Sequence, residues 1–147
     1  MRKVTAATNP ISRTFFKIIL RHYTYKYGFQ IPPQTKIGGG LFIGHFGTIV
    51  VSTEAQIGSN CNIAHLVTIG ATRRGELKGA PKLGDFVWVG TGAVLVGKIT
   101  IGNNVLIAPN SYVNFDVPDN SIVVGNPAKI IPSPAATEGY INNVFVS

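Results

Sequence analysis

The sequence predicts an all-β protein that folds as a parallel β-helix of hexapeptide repeats, with one short helix at its N-terminal end. Aliphatic residues recur every six positions, a period that fits neither a helix nor an alternating strand. The 17 glycines and 9 prolines disfavour a helical bundle. Hydrophobic residues make up 45% of the chain and charged residues 13%, so a packed core is expected rather than disorder.

The short helix is predicted from about Pro10 to Tyr27, within an N-terminal helical segment of residues 1–30. Asn9 can cap its first turn, and proline suits the first helical position. Apolar and basic side chains recur at helical spacing on separate faces, namely Ile11, Phe15, Ile18, Ile19 and Tyr23, and Arg13, Lys17 and Arg21. We expect the helix to dock on its own body or on a neighbouring subunit. Association with an anionic membrane surface is the alternative.

The repeats define a β-helix domain of residues 31–131, followed by a C-terminal tail of residues 132–147. Gly or Ala usually follows the repeated aliphatic residue. Three hexads close one coil, and the aliphatic side chains of successive coils stack into a continuous interior. The repeated positions are Ile31, Ile37, Ile43, Ile49, Ile57, Ile63, Ile69, Leu83, Val89, Leu95, Ile101, Ile107 and Val113.

Two insertions interrupt the six-residue period. Two extra residues are assigned between Ile49 and Ile57, and eight between Ile69 and Leu83. The longer insertion is predicted to leave the coil as a protruding loop. Insertions in repeat proteins often map to the binding face, although a tolerated surface insertion explains this loop equally well.

His45 is the first candidate for catalysis. Imidazole has a pKa near neutrality, so it can accept a hydroxyl proton and return it. A lone histidine in an apolar run is also compatible with a packed core residue. However, His45 and His65 each lie two places after a repeat aliphatic residue, on equivalent corners of adjacent coils. This spacing predicts a separation of about 5 Å, which suits either a proton-handling site or a metal site.

The array resembles the serine acetyltransferase branch of the hexapeptide-repeat acyltransferases from about Ile31 to Ile131. The resemblance implies left-handed coils, an exception to the usual right-handed crossover. It also implies a homotrimer with acetyl-CoA held between subunits. The motifs that carry it are Gly44-His45, the run from Val67 to Thr72, Pro81-Lys82-Leu83-Gly84, the run from Val89 to Ala93, and the run from Val124 to Ile131.

The same resemblance assigns roles to individual residues. It makes His45 the catalytic base and places Lys129 near the nucleotide end of acetyl-CoA. We expect direct transfer, with backbone N–H groups near Gly70 and Ala71 holding the oxyanion, and Cys61 as a packed thiol rather than a nucleophile. The residues expected to meet the cofactor are Gly70, Ala71, Thr72, Gly90, Thr91, Gly92, Ala108 and Lys129.

Several positions depart from the serine acetyltransferase pattern. Gly44 stands where that branch has Asp before the catalytic His, and Gly79-Ala80 stands where it has Arg-His. Gln30 begins a Gln-Ile-Pro-Pro run in place of Asp-Ile-His-Pro, and we expect the family's large N-terminal helical domain to be missing. Gln30 and His65 are predicted to contact the acceptor. Gln30, Glu54 or a backbone carbonyl could orient the ring of His45.

These features predict acetyl-CoA-dependent O-acetylation of a saccharide hydroxyl in polysaccharide biosynthesis. The alternative is transfer to L-serine, as in cysteine biosynthesis. A saccharide is favoured because the lost side chains are those that would pair with the amino acid's charges. Two further classes are open: a metal-dependent hydratase, which needs three converging histidines, and an inert scaffold. We expect no metal.

The formal net charge of +7 favours an anionic ligand, such as a nucleotide phosphate. The basic residues are scattered and lack interleaved aromatic residues, so no nucleic-acid partner is expected. No apolar run reaches the ~18 residues of a membrane span, and Met1 to Lys3 leads into no signal-peptide core. With a single cysteine, Cys61, the chain is predicted to be cytoplasmic.

Overall fold

A computed structural model of the protein describes residues 6–146. Residues 1–5, on which the prediction of no signal peptide partly rests, and Ser147 lie outside the described residues. Helix α1 runs over Pro10–Tyr27, as the sequence predicts. The side chain of Asn9 accepts a hydrogen bond from the Ile11 N–H at 2.8 Å. Gly28 ends the helix in the left-handed conformation (φ 75°), and its N–H donates to the Thr24 carbonyl at 2.8 Å.

After α1 the chain winds through three sheets that form the faces of a β-helix. Sheet A contains β1 (Phe29–Gln30), β3 (Ile49–Val51), β6 (Thr68–Gly70), β9 (Val94–Val96) and β12 (Tyr112–Val113). Sheet B contains β2 (Lys36–Ile37), β4 (Gln56–Ile57), β7 (Lys82–Leu83) and β10 (Thr100–Ile101). Sheet C contains β5 (Asn62–Ile63), β8 (Val87–Val89), β11 (Val105–Ile107), β13 (Ser121–Gly125) and β14 (Ala128–Pro132). Neighbouring strands are parallel except β13 and β14, which are antiparallel.

The repeated aliphatic residues form the interior by stacking in register from coil to coil. In sheet A, Ile69 pairs with Val51 on one side and with Leu95 on the other. Ile69 and Leu95 are fully buried, and their equivalents in the other two sheets stack in the same way. Those columns are Ile37, Ile57, Leu83 and Ile101 in sheet B, and Ile63, Val89, Ile107 and Val123 in sheet C.

The shorter insertion lies elsewhere than the sequence indicated. Val51, and not Ile49, pairs with Ile69, so Val51 occupies the repeat position. The two extra residues therefore lie between Ile43 and Val51, in the turn that carries His45, and not between Ile49 and Ile57. The sequence pattern allowed either phase because Ile49 and Val51 are both aliphatic and both buried.

Backbone approach explains why glycine follows the aliphatic residue at the corner between sheets B and C. A Cβ atom at Gly84 would lie only 2.9 Å from the carbonyl carbon of Gly102 on the next coil. Two residues further on, each coil turns through the left-handed region, with φ of 56° at Asn60 and 53° at Asn104. Asparagine tolerates this conformation better than most residues, so it recurs at this corner.

The longer insertion forms the protruding loop that the sequence predicts. Thr72 and Gly79 close its base by exchanging backbone hydrogen bonds of 2.8 and 2.9 Å. Arg73 also forms an exposed ion pair with Glu54 at 3.0 Å. This contact places Glu54 at the loop and not beside His45.

The first strand begins at Phe29, and the last strand ends at Pro132. The tail then returns along sheet C as a strap. Asn60 bonds the backbone of Phe145 at 2.7 and 3.3 Å, and Asn62 donates to the Tyr140 carbonyl at 3.0 Å.

Candidate active site

The two repeat histidines meet at the corner where sheet C leads into sheet A. Their ring centroids are 5.7 Å apart, and the ring planes cross at 78°. They lie on successive coils because Ile43 and Ile63, two residues before them, both point toward the core. The separation predicted from the hexad count agrees with this geometry.

The extra residues of the first coil make the two imidazoles unequal in their exposure to solvent. The Gly47 N–H donates to the Tyr27 carbonyl at 3.0 Å, and a Cβ on Gly47 would touch the Cβ of His65 at 3.2 Å. The longer turn therefore lies against His65. His65 is half-buried, and its buried Nδ1 has no hydrogen-bond partner among the described residues, whereas His45 is exposed.

A cavity of about 190 Å³ opens beside His45. Its lining combines hydrogen-bonding groups with aromatic rings, and within the described part of the chain it includes no Asp, Glu, Lys or Arg. The cavity therefore suits a neutral, partly apolar ligand better than a densely charged one. The residues that characterise it are His45, Asn62, Thr91, Phe42, Trp88 and Tyr140.

Neither of the two residues predicted to contact the acceptor, Gln30 and His65, is among the described residues that line this cavity. Gln30 lies instead in a groove between α1 and sheet A that also includes Lys17 and Val50. Glu54, a candidate for orienting the ring of His45, is paired with Arg73. That Gln30 or a backbone carbonyl orients the ring stays a prediction.

One group of the predicted cofactor residues shares the histidine corner. The Gly92 N–H donates to the His65 carbonyl at 3.2 Å, and Thr91 lines the cavity. The Gly90 N–H donates to the carbonyl of Ile107 on the next coil at 2.8 Å, and Ala108 directly follows Ile107. The Trp88 ring lies over Gly90, where a Cβ atom would approach it to 2.8 Å.

The remaining predicted cofactor residues divide between two corners. Lys129, exposed on β14, pairs with Val124, and the carbonyl of the preceding Val123 accepts from the Ala108 N–H at 2.8 Å. Lys129 therefore lies near the Ala108 end of the corner between sheets C and A. Gly70 ends β6, and Ala71 and Thr72 lead into the protruding loop, at the corner between sheets A and B. One chain therefore presents two separate groups of candidate residues.

Cys61 is a buried structural thiol, as predicted. Its Sγ lies 3.3 Å from the Gly84 carbonyl oxygen, and desolvation by burial raises the pKa of the thiol to about 11. At neutral pH it is protonated and therefore a poor nucleophile. The structure gives no support to covalent catalysis at this residue.

Four of these cavity residues were missed in the sequence: Phe42, Asn62, Trp88 and Tyr140. Trp88 lies between the inward-pointing Val87 and Val89, so strand alternation could have shown that it faces outward. Its ring packs against that of Tyr140 with centroids 4.9 Å apart and the ring planes tilted by 59°. Tyr140 belongs to the non-repetitive tail, and no pattern in the sequence placed it near His45.

A metal-dependent hydratase requires more ligands than this site provides. Among residues 6–146, no group of three His, Cys, Asp or Glu side chains converges on one point. His22, the remaining histidine, lies on α1 and not at the cavity.

Comparisons with known proteins agree with the repeat architecture. Residues 80–114 match the family described as bacterial transferase hexapeptide (six repeats). A serine acetyltransferase of Helicobacter pylori is 42% identical over 104 residues, which cover 71% of this chain and 61% of that protein. Serine acetyltransferase 4 of Arabidopsis thaliana is 37% identical, covering 82% and 37%.

Solved structures give a similar result. A Neisseria gonorrhoeae serine acetyltransferase in complex with serine matches with a TM-score of 0.69 and 36% identity, covering 79% of this chain and 47% of that one. The Brucella abortus enzyme in complex with coenzyme A gives 0.73 and 33%, covering 83% and 49%. This chain thus spans less than two thirds of the length of these relatives. The matches confirm the predicted left-handed β-helix.

Proposed function

Because this chain belongs to the serine acetyltransferase-like group of hexapeptide-repeat transferases, we propose that it transfers the acetyl group of acetyl-CoA to a hydroxyl acceptor. The observation that carries the proposal is the position of His45, which is exposed at a cavity on the corner formed by the repeats. A general base must be accessible to the hydroxyl it deprotonates, and His45 meets this requirement.

The proposed reaction is a direct transfer within a ternary complex. Neutral His45 accepts the proton of the acceptor hydroxyl while the hydroxyl oxygen attacks the thioester carbonyl. Collapse of the tetrahedral intermediate releases the thiolate of CoA, and protonated His45 gives its proton to that thiolate, which regenerates the neutral imidazole. Backbone N–H groups near Gly70 and Ala71 are the proposed donors to the oxyanion.

We further propose a homotrimer, because one chain holds its candidate residues in two separate groups. His45 and Thr91 lie at one corner, and Gly70 and Ala71 lie at the next. If adjacent subunits bring unlike corners together, acetyl-CoA can contact both groups. The catalytic constellation is then complete only in the assembly.

Light scattering on the purified protein tests this assembly. We expect a molar mass three times that of one chain at micromolar concentration. A stable monomer that retains full activity would contradict the two-corner site, because it would show that one chain suffices.

L-Serine is the acceptor that the comparisons favour. The relatives reported above are serine acetyltransferases, and one matched structure contains serine. This support favours the serine alternative over the saccharide that the sequence departures suggested. For serine to bind productively, charged groups from outside the cavity of one chain must meet its carboxylate and ammonium.

A saccharide is a second candidate because of one structural observation. The cavity holds the contacting rings of Trp88 and Tyr140 and no Asp, Glu, Lys or Arg among its described residues. Aromatic rings offer a flat apolar surface for the C–H face of a sugar, and Asn62 and Thr91 can bond neutral hydroxyls.

An acceptor screen at fixed acetyl-CoA distinguishes the two candidates. Release of free CoA thiol is followed with L-serine and with a panel of sugars and nucleotide sugars. We expect acceptor-dependent release with L-serine, and turnover of a sugar alone would assign the second candidate. Failure of every hydroxyl compound to accelerate release would contradict the proposed activity itself.

A further inference from the structure

Helix α1 exposes an apolar face that nothing in the described chain covers. None of its residues is buried, and Ile11, Phe15 and Ile18 are 78%, 58% and 63% exposed. These three side chains lie on one side of the helix, around a shallow apolar groove. Within one chain this face does not dock on the protein's own body, and docking of the helix on a neighbouring subunit stays a prediction.

The opposite side of α1 is the one that meets the β-helix. Leu20 and Tyr23 border a small cavity together with Phe29, Ile31 and Ile43. The helix is therefore held by one side, close to the first coil, and it presents the apolar face away from the coil.

Charge distinguishes this face from an ordinary hydrophobic interface. Residues 10–28 include Arg13, Lys17, Arg21 and Lys26 and contain no Asp or Glu. With 100° between successive residues, Arg21 and Lys26 lie about 80° and 60° from Ile11, one on each side of the strip of Ile11 and Ile18. Arg13 and Lys17 lie farther around the helix, and Lys17 borders the groove between α1 and sheet A. The Arg21 guanidinium also lies 5.6 Å from the centre of the Tyr25 ring, an arrangement common at polar-apolar boundaries.

We propose that α1 lies in the surface of a lipid bilayer that contains anionic lipids. Its apolar strip would enter the boundary between headgroups and acyl chains, and the flanking Arg21 and Lys26 would lie against the headgroup phosphates. Phe15 and Tyr25 are side chains suited to that boundary. Binding would be peripheral, since no helix in residues 6–146 has the length and apolar character of a membrane span.

Charge argues against a second copy of the chain as the occupant. If two such faces met, the flanking Arg21 and Lys26 of each helix would approach those of the other without any acidic residue on either helix to compensate. An anionic bilayer instead complements these charges. Each Lys or Arg near such a surface strengthens binding by about 1 kcal/mol, which corresponds to roughly fivefold.

Co-sedimentation of the full-length protein with vesicles tests the proposal. Phosphatidylcholine vesicles are compared with vesicles that also contain phosphatidylglycerol. We expect binding to the anionic vesicles only, and weaker binding at higher salt concentration. The double variant Arg21→Glu/Lys26→Glu should bind at least about 30-fold more weakly.

The control variant Lys36→Glu/Lys98→Glu changes net charge equally but alters exposed residues of the β-helix. It should bind nearly as well as the unmodified protein. Ile18→Asp, at an exposed position, should abolish sedimentation with vesicles while leaving the circular dichroism spectrum unchanged.

Three results would overturn the proposal: equal loss in the two charge variants, no binding to anionic vesicles, or a smaller oligomer for Ile18→Asp. The last would show that the face joins copies of the chain. The vesicle experiment does not measure acetyl transfer to soluble acceptors. Its result therefore tests the membrane proposal alone and leaves the proposed activity to the acceptor screen.

Discussion

Replacing His45 with alanine should lower the rate of acetyl transfer at least ~10²-fold, the usual contribution of a general base. The side chain is exposed at the cavity and does not support the core, so the fold should persist. Affinity for CoA should change little, because the proposed contacts of the pantetheine arm come from backbone and small residues. The measurements are steady-state turnover, thermal unfolding and CoA titration.

His65→Ala is the matched control, since it removes the same ring one coil away. It should reduce turnover less than His45→Ala does, and mainly by raising the KM for the acceptor. The half-buried position of His65, with Nδ1 enclosed, makes it a poorer proton acceptor for a ligand in the cavity. If His65→Ala were the more damaging variant, the assignment of the base would have to be reversed.

Leu95→Ala should lower the free energy of unfolding by about 2–5 kcal/mol. Leu95 is fully buried in the central column of sheet A, where it pairs with Ile69 below and Val113 above. Truncation removes buried apolar surface and leaves a cavity that the neighbouring coils cannot close, because their backbones are hydrogen-bonded to one another. Urea unfolding of the purified protein measures the change.

Leu66→Ala removes the same atoms from a side chain that is 55% exposed. We expect its effect to stay within about 0.5 kcal/mol, the range of ordinary surface substitutions. Equal destabilisation by the two variants would argue against the inward column as the principal source of stability.

The sequence could predict those parts of the fold that repeat. Each inward aliphatic residue has the same environment as its equivalent one coil away, so the period of six determines which side chains are buried. The helix bounds were also predictable, because Asn9, Pro10 and Gly28 act through local backbone geometry alone. The pairing of His45 with His65 followed from the same count.

The sequence could not resolve features that lack a period. Two aliphatic residues, Ile49 and Val51, competed for one repeat position, and only strand register shows that Val51 occupies it. Tyr140 reaches the cavity because Asn60 and Asn62 hold the returning tail. Such side chain-to-backbone contacts over long sequence separations have no local signature.

Tracing a labelled acetyl group is the most direct test of the central claim, that His45 promotes direct transfer from acetyl-CoA to a hydroxyl. The protein is incubated with acetyl-labelled acetyl-CoA and the accepting compound from the screen, and label is followed in the acceptor, in free acetate and on the protein. The account predicts label in the acceptor, lost with His45→Ala, and none on the protein. Label retained on the protein, or transfer unchanged in His45→Ala, would contradict it.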